Sequence, residues 1–317
     1  MAREGSSRRA VLQALAATGI GIVAGGTAHG YLYERYHVGV TRADLPVSGL
    51  PEPLDGLRIA LLTDFHLTGP DAQAIIEHAI RLTRTERPDL IVFGGDFVTL
   101  KDRAFMTACA DLLSALTAPH GVFAVLGNHD DDVEMPRALG RRGVTVLADE
   151  HTRVSIQNEA LDLIGIRFWT RRTADVARLM KDVSGTPILL AHDPRRLEQA
   201  AALNVPLVLS GHTHGGQIVV PGVGAVGARK FPIAEGWMRK DNTTLFVSRG
   251  IGTIYVPCRI NCAPEVALLT LRRLVARGVD AARAQSPATD AIVRVAHPDT
   301  VAHADTVAPS IATPSAD

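Results

Sequence analysis

Leu209-Ser210-Gly211-His212-Thr213-His214-Gly215-Gly216-Gln217 closes the apolar run Val205–Leu209 with two imidazoles set among glycines. The run reads as a buried strand and the glycines as the loop that ends it. In extended chain, residues i and i+2 point the same way. His212 and His214 are therefore expected to face one point, with glycines leaving room for something to approach. Taken alone, the stretch also fits a surface loop with two solvated histidines. Four upstream stretches of the same build decide between the two.

Leu57–Thr63 is a strand-like run that ends in Asp64-Phe65-His66. Leu90–Phe93 runs into Gly94-Gly95-Asp96, and Val122–Leu126 into Gly127-Asn128-His129-Asp130. Pro187–Ala191 ends in His192-Asp193. Helical patterns separate these runs at Gln73–Arg84, Phe105–Leu116, Arg137–Arg142, Ala174–Val183 and Arg196–Leu203. Val144–Leu147 is read as a short strand and 154–166 as a hairpin around Asn158-Glu159; Thr243–Val247 and Val266–Leu271 are read as closing strands. In an open α/β sheet the C-terminal strand ends converge on one crevice. The ligand-type residues Asp64, His66, Asp96, Asn128, His129, His192, His212 and His214 are thus expected at one site. The other seven histidines, among 12, have no such context.

Composition excludes other classes. The chain has 317 residues, 46% hydrophobic, enough for one large α/β domain with a substantial core. Its 33 basic and 33 acidic residues cancel, which gives a nucleic-acid partner no electrostatic support. Aromatics are 4% of residues, so stacking platforms are not expected. Cys109, Cys258 and Cys262 cannot make a disulfide framework, and the last two read as small buried residues.

The ends look different from the middle. Residues 1–30 carry Arg8-Arg9 followed by apolar residues and the uncharged run Ala14–Ala28, with small residues at Gly26-Thr27-Ala28. This resembles a twin-arginine export signal, and the alternative is an uncleaved membrane anchor with a positive cytoplasmic flank. Residues 31–56, with Pro46, Pro51 and Pro53, read as an approach segment to a domain over 57–275. Residues 276–317, rich in Ala, Pro, Ser and Thr, read as a disordered tail.

The ligand set mixes oxygen and nitrogen without thiolate, which suits Mn, Fe, Zn or Co rather than a structural zinc. It has too many members for one ion, and a carboxylate can bridge two. Two divalent ions about 3.5–4 Å apart form a clamp for phosphoesters, and a water activated between them is a nucleophile near neutral pH.

Asp64-x-His66, Gly95-Asp96, Gly127-Asn128-His129-Asp130, His192 and Gly211-His212-x-His214, in this order, resemble the calcineurin-like metallophosphoesterase superfamily from about Leu57 to Leu271. The resemblance implies a four-layer αββα fold, two packed mixed sheets flanked by helices. It implies two divalent metal ions, Mn favoured, with Asp64, His66 and His214 on one and Asn128, His192 and His212 on the other. Asp96 would bridge them, and His129 would be the catalytic residue that contacts phosphate and supports the leaving oxygen. Many members carry an acid three residues after the bridging aspartate, where it orients the histidine equivalent to His129. This chain has Thr99 there, which leaves Asp102 or Asp130 as substitutes.

Val247–Gly252, Pro257, Arg259 and Pro264-Glu265-Val266 resemble a narrower branch, the bacterial exported or membrane-associated phosphodiesterases. That resemblance implies a phosphodiesterase acting at or beyond the inner membrane, reached through the twin-arginine translocase. Arg249 and Arg259 are its candidate substrate contacts. Arg171 and Arg172 beside Phe168 and Trp169 are read as surface residues. The substrate would be a small phosphoester or a lipid-linked nucleotide. The rival within enzymes is a UDP-2,3-diacylglucosamine pyrophosphatase of lipid A synthesis, with a cytoplasmic-face site. The rival of another class is a metal-dependent scaffold without turnover.

Overall fold

The computed structural model describes residues 8–274. Within them, continuous apolar runs become strands buried on both faces: β2 (Arg58–Leu62), β3 (Leu90–Phe93), β4 (Val122–Ala124), β8 (Thr186–Leu190) and β9 (Leu207–Ser210). Around them lie β1 (Gly39–Val47), β5 (Thr145–Val146), β6 (Glu150–Ile156), β7 (Glu159–Gly165), β12 (Gly236–Lys240), β13 (Thr243–Val247) and β14 (Glu265–Arg273). A small pair, β10 (Val219–Val220) and β11 (Gly224–Ala225), stands apart. One six-stranded sheet has the order β1-β14-β2-β3-β4-β5, the other β12-β13-β9-β8-β7-β6. Both are mixed: β2, β3 and β4 run parallel while β14 opposes β2, and β7, β8, β9 and β13 run parallel between antiparallel edges.

Three apolar clusters mark the interfaces between four layers. The middle one joins the sheets, with Leu45, Leu61, Val92 and Val125 on one side and Leu163, Leu190, Leu209 and Phe246 on the other. A second covers the first sheet with α2 (Pro70–Glu86), α3 (Arg103–Leu113) and α4 (Glu134–Gly140). The third covers the second sheet with α5 (Thr173–Leu179) and α6 (Leu197–Ala202). Helix α2 shows the pattern: Ile75, Ile76, Ala79, Ile80 and Thr83 are buried on one stripe. Pro70 opens it, where a missing N–H is harmless, and Arg87 at φ 48° ends it.

The segment 31–56 is more than an approach. Its strand β1 pairs in parallel with β14 along its whole length, and Leu45 and Val47 are fully buried in the middle core. Pro46 argues against a strand when the sequence is read alone. It is tolerated because β1 is an edge strand, where one face of the ladder has no partner. Strand β12, also not anticipated, closes the opposite edge. Helix α1 (Arg8–Leu32) contains the expected signal or anchor run. Among the described residues, no helix is long and apolar enough to cross a membrane. The expected tail at 276–317 lies outside the described residues, as do the first seven.

One buried carboxylate ties the second sheet's lower end. Asp162 accepts from Arg153 Nε (2.9 Å) and from the backbone N–H groups of Ser184 (3.0 Å) and Gly185 (2.7 Å). Burial pushes its pKa up, but Arg153 and the two N–H groups outweigh that and hold it below the ordinary carboxylate value. A lowered carboxylate stabilises the fold above its unfolded pKa of about 4, and that stability is lost as pH falls through the folded value. Asp162→Ala is therefore expected to lower stability by about 2 kcal/mol at neutral pH. Melting curves at pH 7 and in acid should show the difference shrinking as pH drops below about 4.

Candidate active site

The parallel strands of both sheets deliver their C-terminal loops to one place. Asp64 and His66 follow β2, Asp96 follows β3, and Asn128 and His129 follow β4. His192 follows β8, and His212 and His214 follow β9. Backbone bonds stitch the loops together: Asp64 N–H to Gly95 O (2.9 Å), His66 N–H to Asp96 O (3.0 Å), Gly211 N–H to His192 O (3.1 Å) and Gly252 N–H to Asp64 O (2.7 Å). Packing this close requires missing side chains. A Cβ on Gly127 would lie 2.0 Å from Asp96 Oδ1, and one on Gly211 would lie 2.5 Å from Asp64 Oδ2.

Asp64, His66, Asp96, His212 and His214 all sit at positive φ, between 46° and 72°. Such backbone is sparsely populated for non-glycine residues and persists where surrounding structure holds it. It also corrects the extended-chain argument for His212 and His214. The chain turns at both, and the two rings enter different groups. Asp64, His66 and His214 bring one ligand atom each to within 4.8 Å of one another, and so do Asp96, His192 and His212.

Asp96 lies between the groups: its Oδ2 is 3.6 Å from His66 Nε2 and 3.1 Å from His192 Nε2. Its other oxygen accepts from His129 N–H (2.9 Å). The ion pairs drawn to Asp64 and Asp96 are with histidines. Burial lowers His66 to about 4, His212 to about 3 and His214 well below its ordinary value, which favours the neutral imidazole, the form able to ligate a cation. Burial also opposes charge on His192, but Asp96 and Asp64 outweigh it and raise it to about 10. Asn128 Oδ1 and His214 Nδ1 are buried and find no hydrogen-bond partner among the described residues. Converging rings, two carboxylates and the orphaned Asn128 oxygen fit a pair of divalent cations.

Outer contacts set the rings. His192 Nδ1 bonds to Gly94 O (2.7 Å), leaving Nε2 directed at Asp96. His66 Nδ1 bonds to the Thr99 hydroxyl (3.0 Å), leaving Nε2 inward. Thr99 thus serves His66 rather than His129. Such partners fix a ligating ring's orientation and tautomer. Thr99→Val is expected to weaken metal retention by roughly 10- to 100-fold, read by competition with a chelating indicator.

His129 is held by an unexpected partner. Its Nδ1 accepts from the backbone N–H of Leu100 (3.1 Å), and Lys101 N–H bonds its carbonyl (2.8 Å). Leu100 and Lys101 both have positive φ, so a strained loop wraps the histidine. The two expected substitutes are occupied elsewhere. Asp102 caps α3 through Ala104 N–H (3.0 Å), and Asp130 accepts from the N–H groups of Asp96, Phe97 and Gly127 (each 2.8 Å). Both lack any sequence signature that separates them from an orienting acid.

Arg249 and Arg259, expected as substrate contacts, turn inward. Arg249 pairs with Glu265 (2.8 Å) and Glu235 (3.4 Å). Arg259 is fully buried and donates to the carbonyls of Arg249, Gly250, Gly252 and Cys262, so it clamps the loop 249–262. Cys258 and Cys262 are buried free thiols, as read from the sequence. Trp169 is exposed, with Arg171 over its ring at 5.6 Å.

Above the two groups opens a cleft of about 570 Å³. His66, Asp96, Asn128, His129, His212 and His214 reach it from below. Ile218, Val220, Val226, Phe231, Ile254, Tyr255 and Val256 form an apolar wall that sequence reading did not single out.

The family model of the calcineurin-like phosphoesterases matches residues 57–216. The chain belongs to this family. This calcineurin-like phosphoesterase is 31% identical over 281 residues to a protein of Escherichia coli named phosphodiesterase YaeI, covering 84% of this chain and 99% of that one. It is 28% identical over 285 residues to the uncharacterized metallophosphoesterase YkuE of Bacillus subtilis, covering 84% and 98%. Among solved structures it resembles an archaeal phosphodiesterase at 16% identity and TM-score 0.36, over 61% of this chain and 84% of that one.

Proposed function

We propose that the protein is a di-metal phosphodiesterase in which Asp64, His66 and His214 hold one ion, Asn128, His192 and His212 the other, and Asp96 both. The observation that carries this reading is the pair of buried Asp/His groups with Asp96 between them, at the floor of a cleft that His129 also lines. Divalent ions bound there, Mn²⁺ favoured, would neutralise phosphate charge and lower the pKa of water to make a nucleophile near neutral pH. The chain's own residues do the rest. His129 Nδ1 is occupied by the Leu100 N–H, so the ring proton sits on Nε2, free to donate to a phosphoryl or departing oxygen. The Asp96 bond to His129 N–H fixes the distance between that donor and the floor.

Charge supports a diester over a monoester. Among the described residues lining the cleft, Lys230 is the one fixed cation, since Arg249 and Arg259 face inward. A singly charged diester with an apolar substituent matches such a cleft better than a dianion. The Escherichia coli relative's name points the same way. We place the working domain at or beyond the inner membrane, with residues 1–30 as the export or anchoring element.

The test is hydrolysis of bis-p-nitrophenyl phosphate against p-nitrophenyl phosphate by the full chain, stripped and reloaded with Mn²⁺. The diester should be cleaved faster, and only by loaded protein. Two metals per chain with neither compound cleaved would sink the reading in favour of a scaffold, unless a UDP-linked acylated glucosamine is cleaved. Monoester cleaved faster would make it a monoesterase.

A further inference from the structure

The loop 254–262 joins the end of α1 to the apolar wall of the cleft. On one side it holds the C-terminal end of α1. Arg259 N–H bonds to Gly30 O (3.2 Å), and a Cβ on Gly30 would meet Arg259 O at 2.4 Å and Cys258 Sγ at 2.7 Å. Glu34, just past α1, accepts from the N–H groups of Asn261 (3.0 Å) and Cys262 (2.6 Å). On its other side the loop pairs with the cleft wall: Val219 N–H bonds to Ile260 O (2.8 Å), and Gln217 Nε2 to the carbonyls of Ile254 (3.1 Å) and Val256 (2.9 Å).

What this loop connects is apolar and uncovered. Tyr255, Val256, Val220, Val223 and Val226, around the mouth of the cleft, are between 44% and 86% exposed. Arg229 and Lys230 flank them and are also exposed. Helix α1 has no Asp, Glu, Lys or Arg after Arg9, and residues 12–25 are exposed on every side. A helix uncharged all round does not remain in water unless something covers it. Valines and an exposed tyrosine beside basic side chains are the composition that partitions into the headgroup region of a bilayer.

We propose that the mouth of the cleft is a membrane-docking surface, with α1 and the 219–231 and 254–256 segments seated together on anionic lipid. Two weak contacts held by one rigid loop reinforce each other, because the first raises the local concentration of the second. The cleft then opens into the headgroup layer, where a phosphodiester with an apolar substituent is presented with that substituent still in lipid. This extends the phosphodiesterase reading to the place where the substrate is met.

The test uses full chains with one introduced cysteine, Val223→Cys, Ile20→Cys or Glu52→Cys, labelled with nitrobenzoxadiazole; the three native thiols are buried. Glu52 is exposed near the opposite, N-terminal end of β2. On phosphatidylcholine–phosphatidylglycerol (3:1) vesicles, the dye at 223 and at 20 should shift to the blue and be quenched by brominated acyl chains, and the dye at 52 should not. Val223→Asp should lower vesicle partition by roughly tenfold with bis-p-nitrophenyl phosphate hydrolysis unchanged, since Val223 does not line the cleft. Quenching at 20 without quenching at 223 overturns the proposal, because α1 alone then binds lipid. Quenching at neither overturns it too. So does shielding of 223 that grows with protein concentration in vesicle-free solution, which would make the face a contact between two copies. Quenching needs no turnover, so an inert enzyme and a water-facing mouth give different results.

Discussion

Asp96→Asn is expected to lower bis-p-nitrophenyl phosphate hydrolysis by about 10³-fold, because several kcal/mol of transition-state charge stabilisation depends on both ions being held. The residue's position explains why it should be the most damaging single ligand change. Its Oδ2 faces His66 of one group and His192 of the other, while its second oxygen holds the His129 backbone. The amide keeps the shape and at most half of the acceptor capacity, and it removes the charge. Elemental analysis should show fewer metal ions per chain after gel filtration, and circular dichroism should be unchanged. Full metal content with full activity would show that Asp96 bridges nothing. Normal metal content with lost turnover would instead move its role to positioning His129.

His129→Ala is expected to reduce turnover by about 10²- to 10⁴-fold, the span of a positioned acid–base group. Here metal content should be unaffected, because His129 belongs to neither ligand group. The loss should depend on the leaving group. A p-nitrophenolate departs without a proton, so its diester should be affected least. A diester with an aliphatic alcohol needs the proton and should be affected most. An equal loss for both would assign His129 to binding phosphate rather than to protonating the departing oxygen. The Leu100 N–H bond to Nδ1 is what makes the proton available at Nε2.

Much of this site is legible in the sequence, and the reason is local. A buried parallel strand is a short apolar run, and its C-terminal end leads into a loop. Asp64, Asp96, His192 and His212 each stand at such an end, and the glycines beside Asp96 and His212 signal close approach. Strand β1 escapes because Pro46 breaks the local signal, although Ala43, Leu45 and Val47 alternate as a half-buried strand should. Only its pairing with β14, more than 200 residues away, makes an edge position where proline is tolerated. Arg249 and Arg259 are misplaced for a related reason. An arginine's chemistry is visible in sequence, but whether its guanidinium meets substrate or the backbone carbonyls of its own loop is not.

The sequence by itself determined the α/β class and the set of residues that meet, a set without thiolate. Both follow from residue type and short-range pattern, while the four layers came from the family resemblance. The division of the set was implied by the family resemblance, and the tertiary structure shows how the chain achieves it. His212 and His214 separate because both adopt positive φ, held by loops that Gly95, Gly127, Gly211 and Gly250 allow to close. It also decided that Thr99 orients His66, and that a backbone N–H, the same in every residue but proline, orients His129. Contacts of that kind carry no signature in the chain, because they depend on where a loop is brought rather than on which side chain it bears.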